Sequence, residues 1–204
     1  MLIKIYNENP NPKDIRKIAD ILRNGGIIIY PTDTVYGMGC DITQTRAVER
    51  VARLKGVDVE KSNFSFICSD LSHLSLYTRP ISSHVFKIIR KNAPGPFTFV
   101  LEASSNVPKY FKGRKKTVGI RIPDNEIICE IVRELGNPIV STSIHDEDEM
   151  LEYSIDPELI HEKYGEVTDL VVDGGTGEII PSTVVDLTSG EPVILREGKG
   201  ILVV

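Results

Sequence analysis

The sequence predicts an α/β protein: one twisted, open sheet of mixed parallel and antiparallel strands carrying helices, in a single domain over residues 1–204. Three observations carry this. Short apolar runs of strand type alternate with stretches of helical period. The last third is rich in strand-like segments at hairpin spacing, so antiparallel pairs must join the parallel ones. No repeat, low-complexity tract or long Pro/Gly/Ser linker divides the chain. With 204 residues, 41% hydrophobic and 26% charged, it can bury most of a substantial core without metals or disulfides.

In order, residues 11–26 read as a helix. Asn11 caps it, Pro12 suits its first turn, and Ile15, Ile18, Ala19 and Leu22 form one apolar face before Gly25 and Gly26 end it. Ile27 to Tyr30 is a short buried strand closed by Pro31, and a helix follows over Thr43 to Leu54. Phe64 to Cys68 alternates like a strand, and Ser82 or Ser83 caps a helix carrying Val85, Phe86, Ile88 and Ile89. Phe97–Leu101 and Thr117–Ile122 read as strands. Asp124 is expected to cap a helix ended by Gly136, and Pro138–Ser143 to run as a strand. Asp156-Pro157 starts a short helix. Strands are then expected at Asp169–Asp173, Thr183–Leu187, Pro192–Arg196 and Ile201–Val204, with Thr188-Ser189-Gly190 turning a hairpin.

Composition excludes several classes. A net charge of -5 argues against coating nucleic acid by bulk electrostatics, and the absence of tryptophan argues against broad stacking platforms. Cys40, Cys68 and Cys129 form no CxxC and read as buried free thiols of a reducing cytosol. The first residues are too polar for a signal peptide, and no apolar run is long enough for a membrane span, so a cytoplasmic protein with no membrane partner is expected. The four histidines lack metal-ligand spacing, so no metal site is assigned. No Walker A or GxGxxG occurs, so a nucleotide would be held in some other way.

Three segments concentrate chemistry. Thr32-Asp33-Thr34 leaves the end of the first buried strand, where α/β sheets place ligands, and Gly37 and Gly39 follow. Arg121 lies inside an apolar strand and requires an anion, either a carboxylate of the chain or a ligand. Ser141-Thr142-Ser143 puts three hydroxyls at a strand end, able to hold anionic oxygens or to bond their own backbone. Ser182 and Arg196 add a hydroxyl and a cation. Lys109, Lys112, Arg114, Lys115 and Lys116 form a basic stretch, opposed by the acidic run Asp146–Glu149.

Together these segments resemble the YrdC/YciO family, the threonylcarbamoyl-AMP synthases. The resemblance runs from about Ile15 to Gly198 and rests on Pro31–Cys40, Pro94–Leu101, Thr117–Pro123, Ser141–Ser143, Pro181–Asp186 and Leu195-Arg196. It implies an open α/β sheet around a positively lined cavity. It also implies a reaction of L-threonine, bicarbonate and ATP, with Mg²⁺ on the phosphates. Threonine becomes a carbamate whose oxygen attacks the α-phosphate; pyrophosphate leaves, and a tRNA threonylcarbamoyl transferase complex consumes the product. Carried over by position, Thr34, Arg121, Ser141 and Ser182 would hold threonine. Lys55, Lys61, Thr117, Ser143 and Arg196 would lie along ATP, with Lys55, Lys61 and Arg121 the catalytic cations.

Some positions depart from the synthases. Val57 stands where they carry arginine, His145 where they carry asparagine, and Phe66 where many carry histidine; the stretch Arg53–Leu71 resembles the YciO branch. Two functions are therefore expected as alternatives. One is synthesis of threonylcarbamoyl-AMP for tRNA modification. The other is binding of double-stranded RNA or tRNA through Lys112, Arg114, Lys115 and Lys116, with little synthase activity.

Overall fold

The computed structural model describes residues 1–111, 116–144 and 152–204, without the side chains of Lys61, Tyr110 and Glu152. The first half runs β1 (Leu2–Lys4), α1 (Pro12–Arg23), β2 (Ile28–Tyr30), β3 (Gly37–Asp41), α2 (Thr45–Leu54), β4 (Ser65–Ile67), α3 (Leu74–Tyr77), α4 (Ser83–Asn92) and β5 (Phe97–Glu102). The second runs β6 (Thr117–Arg121), α5 (Glu126–Leu135), β7 (Ile139–Ser143), α6 (Glu152–Ile155), α7 (Pro157–Tyr164), β8 (Leu170–Asp173), β9 (Thr183–Asp186) and β10 (Val193–Arg196). Single helical turns of 3-10 type cover Val59–Lys61, Leu71–His73 and Lys109–Phe111.

All the described strands join one open sheet in the order β1-β8-β2-β3-β7-β4-β6-β5-β9-β10. Its pairs are mixed: β1–β8, β2–β8, β4–β6 and β5–β9 are parallel, and the other five neighbours are antiparallel. The mixed sheet expected from the sequence is therefore what forms.

Residues opposite one another in a ladder point to the same side, so the registers sort the sheet into two faces. On one face Ile28, Tyr30, Ile67, Ile139, Leu170 and Val172 pack against the apolar stripes of α1 and α5. On the other, Ile29, Met38, Phe66, Phe99, Ile120, Val140 and Val185 pack with α2, α4 and Ile160 of α7. The α1/α5 cover stops short. Along β5, β6 and β9 the residues of that face, Thr98, Val100, Gly119 and Val184, are only partly buried, while Phe97, Phe99, Val118, Ile120 and Val185 between them are buried. Among the described residues one part of that face thus carries no helix, and that part is a floor of small and polar side chains.

Several elements differ from expectation. β3 was not read as a strand because its glycines disfavour one. Here a Cβ on Gly39 would lie 2.3 Å from Val140 O, so close strand approach requires glycine at that position. β1 is three residues long and gains its order from β8, far along the chain. Ile201–Val204 is not a strand. Asn92 Oδ1 accepts from Val203 N at 2.9 Å and Asn92 Nδ2 donates to Val203 O at 2.8 Å, so a side chain satisfies the backbone groups a ladder would have used. The cap of α5 is Asn125, whose Oδ1 accepts from Ile128 N at 3.2 Å; the Asp124 N–H goes to Asp33 instead.

Candidate functional site

Between β2 and β6 lie four strand spacings, roughly 19 Å at about 4.8 Å each. Yet Arg121, the last residue of β6, reaches the loop after β2: its Nη2 is 3.0 Å from Thr32 Oγ1, 2.5 Å from Asp33 Oδ1 and 2.7 Å from Thr34 Oγ1. Strand twist of about 20–25° per neighbour accumulates toward a right angle over that span. The loop folds over the face so formed.

Arg121 is 7% exposed and Thr34 fully buried. The sequence left open whether Arg121 meets an acid or a ligand; it meets Asp33. The pairing leaves a residue of unused capacity. Three oxygens share the two hydrogens of Nη2, while the buried Nε has no hydrogen-bond partner. A buried guanidinium N–H without an acceptor is costly and marks a place for one.

The Thr34 hydroxyl is likewise committed in one direction. Thr32 Oγ1 gives its hydrogen to Val35 O at 2.8 Å and accepts from both Thr34 N and Arg121 Nη2 at 3.0 Å. It also lies 3.2 Å from Thr34 Oγ1, where either hydroxyl can donate. Thr34 Oγ1 accepts from Arg121 Nη2, and its own hydrogen can turn to Thr32 or to a ligand.

On the β9 side, Ser182 is buried and stands just before the strand. Its Oγ lies 2.9 Å from Thr98 Oγ1, and Arg196 Nη2 donates to Ser182 O at 2.8 Å and Oγ at 3.3 Å. Partial burial, and after it the charge of Arg121, hold the Arg196 guanidinium below its usual pKa. Two cations thus feel each other across the floor, an arrangement that an anion between them would relieve. Lys199 adds a third, its Nζ 2.8 Å from Asp33 O and 3.3 Å from Glu178 Oε1.

The register places the rest. Ser65 pairs with Gly119 on β6 and Ser141 on β7. Thr117 and Ser143 lie two residues further toward the same end on that same face, both exposed. The structure therefore brings Thr34, Arg121, Ser182 and Arg196 together and lines up Ser141, Thr117 and Ser143 along one floor. Lys55 is the C-cap of α2 and partly buried; among the described residues no hydrogen bond or ion pair joins it to that group. The Lys61 side chain, Lys112, Arg114, Lys115 and His145 lie outside the described residues, and Lys116 is exposed. Phe66 faces the helix-covered side, edge-on to Tyr77 and Phe111. Two cavities bounded by described residues, about 610 Å³ beside Lys13 and Asp20 of α1 and about 220 Å³ beside Arg79 and Thr188, lie apart from this floor.

Sequence reasoning did not assign Tyr30, Thr98 or Lys199 to the site, and it singled out Asp33 within Thr32-Asp33-Thr34 without giving it a role. The alternation along β5 was the available signal for Thr98; the ion pair and Lys199 depend on loop contacts without a local pattern. Among the described residues no three His, Cys, Asp or Glu side chains gather as a metal site, and no helix is long and apolar enough to cross a membrane.

The fold is thus an open mixed α/β sheet whose floor, among the described residues, gathers arginines and hydroxyls. The chain belongs to the Sua5/YciO/YrdC family, whose model, described as "Telomere recombination", matches residues 20–198. It is 40% identical over 197 residues to an uncharacterized protein of Haemophilus influenzae and 37% identical over 197 residues to the uncharacterized protein YciO of Escherichia coli, covering 96% of this chain and 94% of each relative. A threonylcarbamoyl-AMP synthase of Nitrosococcus oceani is 36% identical over 129 residues, 63% of this chain and 69% of that protein. The crystal structure of E. coli YciO superposes with a TM-score of 0.90 at 36% identity, over 98% of this chain and 97% of that one. That of P. abyssi Sua5 complexed with L-threonine superposes at 0.86 and 28% identity, over 97% of this chain and 57% of that longer one.

Proposed function

We propose that the chain forms threonylcarbamoyl-AMP from L-threonine, bicarbonate and ATP. The observation that carries this is Arg121: a buried guanidinium with an unsatisfied Nε, whose Nη2 donates to the buried Thr34 hydroxyl. Membership of a family that includes a named synthase, and likeness to a Sua5 structure holding L-threonine, support the substrate.

On this reading Arg121, Thr34, Ser141 and Ser182 hold the amino acid. The carbamate oxygen attacks the α-phosphorus of ATP, its P–O bond forms as the bond to pyrophosphate breaks, and the departing charge is met by cations. Thr117, Ser143 and Arg196, with Lys55 and Lys61, lie along the nucleotide, and Mg²⁺ would ride on its phosphates and neutralise them. Such a transfer depends on positioning and charge neutralisation more than on a protein nucleophile, which suits a site of hydroxyls and arginines. Val57 in place of arginine removes one cation and predicts slow turnover; loss of such a guanidinium costs about 10³ in related phosphoryl transfers.

The test supplies L-threonine, bicarbonate and α-labelled ATP and follows pyrophosphate and the mixed anhydride. Product that requires all three substrates, and that disappears with Arg121→Gln, is expected. ATP binding without any product overturns the reading.

A further inference from the structure

Tyr30 is the last residue of β2, completely buried, and sequence analysis placed it in the core. Its ring does something more specific than fill space. Tyr30 is the cross-strand partner of Gly37 on β3, and a Cβ on Gly37 would lie 2.9 Å from Tyr30 Cζ and 3.1 Å from its Oη. The ring therefore lies across the glycine and carries the phenol over β3 to the next strand. There Tyr30 Oη donates to Ser141 Oγ on β7.

The direction of that bond has a consequence. Burial holds the Tyr30 pKa far above its ordinary value, so the phenol keeps its proton throughout the working pH range. Among the described residues Ser141 is its hydrogen-bond partner, and a buried hydroxyl proton must be given to an acceptor. Ser141 Oγ is thus fixed as an acceptor on the side of Tyr30, and its own hydrogen is left for the open side of the sheet. Thr34 Oγ1 likewise accepts from Arg121, and Ser182 Oγ accepts from Arg196.

We propose that Tyr30 is a positioning residue of the site: by donating to Ser141 across Gly37, it commits the Ser141 hydroxyl to donate to an anionic amino-acid ligand. The proposal rests on the functional reading above, because Ser141 is there a threonine contact.

The experiment measures L-threonine affinity by calorimetry for wild type, Tyr30→Phe, Ser141→Ala and the double variant, with thermal unfolding of each alongside. Tyr30→Phe keeps the ring over Gly37 and deletes only the donor. It is expected to weaken L-threonine binding about two- to tenfold, the range of one neutral hydrogen bond, and to have no further effect once Ser141 is alanine. Equal affinity in wild type and Tyr30→Phe, or an undiminished effect in the Ser141→Ala background, overturns the proposal even if stability falls, and leaves the functional reading standing. Failure of wild type to bind L-threonine overturns the functional reading and takes the role of Tyr30 with it. A measurement on the unaltered chain guards against a misfolded variant. The Tyr30 hydroxyl proton should be visible by NMR as a slowly exchanging resonance close to the Ser141 β protons, and a hydroxyl exchanging at the solvent rate counts against the assignment.

Discussion

Asp33 Oδ1 stands 2.5 Å from Arg121 Nη2, with both side chains 9% exposed. The other oxygen of Asp33 accepts the Asp124 N–H at 3.1 Å. The acid therefore ties the arginine to the start of α5 and holds one edge of the guanidinium, so that the rest is presented in a fixed pose.

Removing that acid should destabilise the chain. Asp33→Ala leaves a buried guanidinium unpaired and is expected to cost about 3 kcal/mol in urea unfolding. L-threonine or inorganic phosphate, at one fixed concentration about 100 times its Kd for wild type, stabilises wild type by about 2.7 kcal/mol. If the anion replaces the lost carboxylate, its stabilising effect should exceed that in wild type; equal effects would place the anion elsewhere.

Arg196 behaves differently, because its proximity to Arg121 is repulsive. Arg196→Gln should leave stability within about 0.5 kcal/mol of wild type. It should weaken ATP binding roughly tenfold or more, the equivalent of one charge-assisted hydrogen bond. Calorimetry with ATP and a melting curve separate the two effects.

Gly37 is required by its neighbour. Gly37→Ala puts a Cβ 2.9 Å from the Tyr30 ring, and overpacking of this kind costs about 1–3 kcal/mol. A smaller partner, Tyr30→Leu, should recover part of that loss in the double variant, so the two costs should not add. Additive losses in denaturant unfolding would mean that the ring does not cross the glycine.

Alkali should unfold the chain. Burial pushes Cys40 up to about 12, Cys129 up to about 11 and Tyr36 up to about 12, while Cys68 and Tyr30 are also raised. The folded chain then holds protons that the unfolded chain releases above about pH 9, so stability is full below that pH and falls as pH rises toward 11–12. Each thiol ionised only in the unfolded state contributes about 1.4 kcal/mol per pH unit to the slope. At pH 8 an aromatic disulfide reagent should react slowly with the native chain and with three thiols after denaturation, as Cys40, Cys68 and Cys129 are all buried and free.

Five helices, α1, α2, α4, α5 and α7, were legible because each carries a stripe, a cap or both: Asn11 and Pro12 open α1, and Gly136 closes α5 at φ +79°. Thr34, Arg121, Ser141 and Ser182 were legible as residue types out of place, hydroxyls at strand ends and a cation in an apolar run. What stayed hidden was direction. Nothing local says that Asp33 turns back to Arg121 from the far side of three intervening strands, or that Tyr30 spends its proton on Ser141. Asn92, at the end of α4, carried no signal of its own, yet it holds Val203 in place of the strand expected there. In each case a contact between residues about 90 to 110 positions apart overrode the local pattern.

The position of β8 governs how this molecule can be assembled. Leu2 pairs with Val171, and Ile28 with Leu170, so both early strands lean on a segment that a ribosome delivers more than about 140 residues later. Until then β2 has one bare edge and β1 has no neighbour in the sheet, and such late, long-range closure is slow and exposes sticky backbone meanwhile. A nascent chain halted before residue 170 should accordingly be held open, and be vulnerable to proteases and to its own kind, however complete its helices.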